Sequence, residues 1–144
     1  MVEFALVGPI LMALLFGVIE FSWTFNQVLD VRHGAREGAR LAAVNFSPTG
    51  VVGDAQTALI VATICNRVDA PEEVRVSLEL ATAGADQPGD VGRVRVERDL
   101  DQLTGFYDQF LGNFEPNSTS VFMLEQEASW NPTSTPQSCP VTTP

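Results

Sequence analysis

The sequence predicts an α+β chain: a long N-terminal hydrophobic α-helix, a second helix and a small antiparallel β-sheet head. Three observations predict it. Apolar residues dominate the first 29 positions and lead without a turn signal into a helical stretch with small residues four apart. A second helical stretch, closed by a proline, follows. Three segments of strand character come last, separated by turn-rich loops. Helices and strands segregated along the chain argue for an antiparallel sheet with one face on the helices. The expected organisation is a helix over 1–46 and a head with an extended tail over 47–144.

The first helix opens MVEFALVGPILMALLFGVIEF. Residues 4–19 carry no charge, and the stretch stays mostly apolar to Leu29. A membrane-spanning helix needs about 20 such residues. A charge near the bilayer centre costs about 2.5–3.5 kcal/mol on insertion scales, so Glu3 and Glu20 point to tasks beyond anchoring. Pro9, after Gly8, removes a donor and should disturb the first turns. A signal peptide is the competing reading, but the cationic n-region and an A-x-A site are missing. Either a basic leader has been removed, or the apolar segment is kept in the working protein.

From Asn26 the helix continues as NQVLDVRHGAREGARLAAVN, with Pro48 and Gly50 as its stop. Arg32, Arg36 and Arg40 form one stripe, Gly34 and Gly38 a second, and Ala35, Ala39 and Ala43 a third. Each glycine costs about 1 kcal/mol relative to alanine in a helix interior, so two of them imply close packing. The packing partner is either another helix or the chain's own core, and both readings stand. A helix over 3–46 would be about 65 Å long, roughly twice a bilayer core, so its second half must stand clear of the membrane or pack on the head.

Asp54 is the expected N-cap of the second helix, AQTALIVATICNRV, which Pro71 closes. EVRVSLELA (73–81) and VGRVRVERDL (91–100) alternate apolar and polar residues. After a looser stretch, TGFYDQFLGNFEPN, comes a third strand over 118–129. The tail NPTSTPQSCPVTTP reads as extended and exposed.

The formal net charge is −10, lysine is absent and all eight basic residues are Arg. That balance argues against nucleic acid as a partner. Cys65 and Cys139 lack CxxC spacing, so no zinc site is indicated. They are either two buried thiols or one disulfide, which needs an oxidising compartment. The disulfide is the expectation, because the tail otherwise has little to hold it. The single histidine, His33, sits in the Arg cluster and reads as a solvated or packing residue. No nucleophile elbow, P-loop, dinucleotide fingerprint or metalloprotease motif occurs. Asp86, Asp90, Asp99 and Asp101 lack the calcium-loop pattern and read as a solvated surface. No catalytic residue, cofactor or metal is expected, and an enzyme ranks last. Asn117-Ser118-Thr119 fits the N-glycosylation acceptor pattern.

The stretch VEFALVGPILMALLFGVIEF, followed by REGARLAAV, resembles the TadE-like family of tight-adherence pilus proteins, pilin-like or pseudopilin components of the type IV filament superfamily. The residues that carry it are Val2, Glu3, Phe4, Ala5, Leu6, Pro9, Gly17, Ile19, Glu20 and Phe21, then Ala35 to Arg40 and Ala42-Ala43. It covers about the first third of the chain; beyond that only an outline matches, including a late Cys and Trp130-Asn131. The resemblance implies a short basic leader cut by a prepilin peptidase and anchoring in the cytoplasmic membrane. It then implies passage, with the pilus assembly machinery, into an extracellular filament. One departure stands out: the family's key glutamate usually follows the cut by five residues, whereas Glu3 is third here.

The Arg stripe alone would keep the head cytoplasmic. A basic leader would reverse that bias, and a disulfide favours the outside, which is the orientation expected. Three roles follow: a structural subunit packed with copies of itself in a homopolymeric filament, a minor pseudopilin that primes or caps assembly, and a non-polymerising exported binding module. Glu3 and the small-residue stripes favour the first two. Glu3 is expected to neutralise the α-amine of an adjoining subunit, and Glu20 to sit in water at the membrane boundary before bonding within the filament.

Overall fold

The computed structural model describes residues 2–99, 115–133 and 135–139. Leu100, Asp101 and most of the looser stretch lie outside them. Helix α1 spans Val2–Ala43. It runs on through Pro9, where the sequence predicts a disturbance. The proline withholds one N–H from the Ala5 carbonyl, and the flanking turns keep the helix intact. The helix stops earlier than its stop signals at Pro48 and Gly50. Asn45 takes the left-handed conformation (φ 53°), the Phe46 N–H donates to the Leu41 carbonyl and the Asn45 N–H to that of Ala42. This is a Schellman cap with asparagine in the position glycine usually takes.

Helix α2 spans Asp54–Cys65. Its N-cap is Gly53 and not Asp54, whose carboxylate instead accepts from Asn131 Nδ2 at 2.8 Å. It also ends before the expected Val68, in a turn where the Arg67 N–H donates to the Ile64 carbonyl. A single 3₁₀ turn, Pro71–Glu73, leads into β1, Val74–Leu80. Strands β2 (Val91–Arg98), β3 (Asn117–Met123) and β4 (Gln137–Ser138) complete a sheet of order β3-β2-β1-β4, antiparallel throughout. Strand β3 is shorter than the predicted 118–129, because the chain beyond Met123 leaves the ladder. The Leu124 N–H donates to the Asp90 carbonyl and the Glu125 N–H to that of Ala43, so this segment closes the end of α1.

The described residues thus form an α+β fold. Helix α1 lies across β2 and β3 with α2 beside it. The core takes Val31, Ala35 and Ala42 from α1, Ile60 and Ile64 from α2, Val74, Val76 and Leu78 from β1, and Val94 and Val96 from β2. The upper half of α1 is therefore an integral part of the head. The tail is extended but not simply exposed. Thr133 exchanges hydrogen bonds with Leu78, β4 pairs with Arg75 and Val76, and Cys139 is buried in a disulfide with Cys65.

Candidate assembly surfaces on the N-terminal helix

Helix α1 has two environments. Below residue 20 its large apolar side chains are exposed: Phe4 is 81% exposed and Ile10 70%. Among the described residues this is the one helix long and apolar enough to cross a membrane. From Phe4 to Phe25 the rise is about 32 Å, close to the thickness of a bilayer core. Phe21 and Phe25 stack at its upper end beside Trp23, where aromatic rings suit a membrane–water boundary. Glu3 is exposed in the first helical turn, where a carboxylate complements the helix dipole.

Glu20 differs from the expectation of a water-facing side chain. It is 1% exposed and makes a polar contact, as does the buried Gln27 two turns on. The two glutamates are not equivalent: one is open at the helix tip and the other is enclosed by the chain.

Above Glu20 the small residues meet the head itself. A Cβ built on Gly34 would stand 2.9 Å from Val68 Cγ1, and one on Gly38 would stand 2.6 Å from Ile64 Cδ1 and 3.0 Å from Val94 Cγ1. Ala35, Ala39 and Ala43 are buried in the same face. Of the two packing partners the sequence allows, the structure shows the chain's own core. Gly38→Leu is therefore expected to cost about 3 kcal/mol in head stability, at the upper end for overpacking, since Val94 is stiff and Ile64 is enclosed. Urea unfolding of the full chain in detergent would measure this, and a midpoint equal to wild type would refute it.

Arg32, Arg36 and Arg40 lie on the opposite, solvent-facing side, with His33 also exposed. Glu37 stands 3.7 Å from Arg40 on the same helix.

Two polar clusters that sequence patterns do not reveal fix α1 to the head. At its middle, Asp30 accepts from the Asp69 N–H at 2.9 Å and lies 3.4 Å from Arg98, which also reaches Glu73 at 3.2 Å. Arg98 is 4% exposed: it falls on the core-facing side of β2 with Val94 and Val96, whereas Arg93 and Arg95 lie on the exposed side. At the upper end, Asn45 Oδ1 accepts from Gln56 Nε2 and from the N–H and hydroxyl of Ser129. Trp130 Nε1 donates to the Ala42 carbonyl. An asparagine just past a helical run is the one signal that could have flagged this cap.

The remaining residues singled out from the sequence are dispersed. Asp86 and Asp90 bond within their own loop to Gln87, and Asp99 pairs with Arg75 at 2.7 Å. Asn117 is exposed at the start of the edge strand β3.

A family model described as TadE-like protein matches residues 1–40. The match takes in the exposed apolar half of α1, both glutamates, the two glycines and the Arg stripe. No curated protein and no solved structure matches the chain.

Proposed function

We propose that this chain is a pilin-like structural subunit of a Tad-type pilus. Its N-terminal helix holds it in the membrane before assembly and packs with copies of itself afterwards. The observation that carries this reading is the division of α1. One continuous helix gives its upper half to the head's core and leaves its lower half apolar and exposed, with a glutamate in its first turn. A simple anchor needs neither a terminal carboxylate nor a rigid union with the head. The TadE-like match over the same residues supports a Tad pilus association and a membrane-anchor-like helix. The disulfide supports an outward-facing head, since such bonds persist in oxidising compartments.

On this reading the subunit exchanges lipid for neighbouring apolar helices, a trade that sets no axial position. Glu3 would supply one by pairing with the α-amine of an adjoining subunit, since a carboxylate in apolar surroundings is stable only beside a cation. Glu3→Gln should insert normally yet reduce filament yield at least tenfold. Glu20→Gln, similar in volume and enclosed by its own chain, should assemble nearly as wild type. Electron microscopy of sheared surface material, with quantitation of this chain, distinguishes them. Normal filaments from Glu3→Gln would show that its charge does not set the stagger.

A further inference from the structure

The Arg stripe lies above the apolar span and faces away from the head's core. Arg32, Arg36 and Arg40 stand exposed along about 12 Å of α1, on a chain of net charge −10. Lipid headgroups are poorly placed to use it. Measured from Phe25, the three residues rise about 10, 16 and 22 Å. A Debye length is about 8 Å at physiological salt, so the upper two lie beyond effective reach of the surface.

A matching surface exists on the same chain. The loop over 82–90 and the segment over 124–129 are hydrogen-bonded together, Leu124 to Asp90 and Ala128 to Asp86, beside the C-terminal end of α1. They contain Asp86, Asp90, Glu125 and Glu127 and no basic residue. Glu125 and Glu127 are exposed. Glu37 offsets part of the stripe's charge through Arg40, leaving Arg32 and Arg36 without an acidic neighbour among the described ion pairs.

We infer that the Arg32–Arg36–Arg40 stripe of one copy docks on the Glu125–Glu127 surface of a second copy, which rests on the subunit reading above. The two surfaces lie at different heights on one molecule. Arg40 is about 4 Å and Arg32 about 16 Å below the end of α1 at Ala43. A neighbour displaced along α1 by a distance in that range brings its stripe level with the acidic segment. The contact joins different patches on the two copies, so it does not close on itself and each copy can take another.

The test places a photocrosslinking benzoylphenylalanine at Gln126, between the two glutamates, in the full chain within assembling cells. The expected product is a dimer whose crosslinked peptide carries residues 32–40. Arg36→Glu with Arg40→Glu should cut its yield at least tenfold, as should Glu125→Arg with Glu127→Arg. The four changes combined should restore it. Filaments that form while Gln126 crosslinks to another surface or to lipid would overturn the docking and leave the subunit reading intact. Yield unchanged by either charge reversal would do the same. A wild-type chain that forms neither dimers nor filaments would overturn both.

Discussion

Cys139→Ser is expected to lower head stability by about 4 kcal/mol, the chain-entropy value for a loop of this length. The bond joins residues 74 apart and ties the tail to the end of α2. Among the described residues near Cys139, β4 contributes two residues, both exposed, and the Cys139 N–H makes one bond to the Val74 carbonyl. Loss of the bond should therefore release β4 and expose the edge of β1 as well. Urea unfolding of the full chain with and without reductant would measure the difference. Equal midpoints, or two free thiols in exported material, would refute the expected role.

Arg98→Met is expected to cost about 3 kcal/mol, the lower end for breaking a buried ion pair. Arg98 is nearly fully enclosed, whereas Asp30 and Glu73 keep side-chain exposures of 16% and 32%. Water can partly resolvate the two abandoned carboxylates, which holds the cost down. Adding Asp30→Asn should recover some of the loss, because the Asp69 N–H still finds an acceptor while one unpaired charge disappears. A double variant no more stable than Arg98→Met alone would show that the cost comes from lost arginine packing instead.

The sequence was most legible where one period governed a segment. Alternation marked β1 and β2 to within two residues, because Val74, Val76 and Leu78 of β1 and Val94 and Val96 of β2 share the core face. The long apolar run and the glycines marked α1. Ends were harder to read, since they depend on residues distant in sequence. Asp54 looks like a cap until Asn131 draws its carboxylate away, and β3 stops where its continuation is needed to close α1. Glu20 and Arg98 show the same limit. Arg98 shares the register of Val94 and Val96, so alternation places it on the core face, but its partners Asp30 and Glu73 come from distant segments. Glu20 reads as a boundary charge, and only the assembled fold buries it. The small-residue stripe reads as a packing surface, but a stripe alone does not tell whether its partner is another molecule or the chain's own sheet.

The union of α1 with the sheet also bears on how the molecule carries tension. A pull between the bare end of α1 and the head has no linker in which to dissipate. It passes along a hydrogen-bonded helix and then across the face where α1 lies on β2 and β3, with Gly34 against Val96 and Gly38 against Val94. Loading along that face is shear: many small contacts must slip together, whereas those of an unzipping hairpin break in succession. Both cysteines lie outside α1, so the disulfide sits off this path. Reduction would then lower the head's thermodynamic stability more than its resistance to being drawn off its own helix.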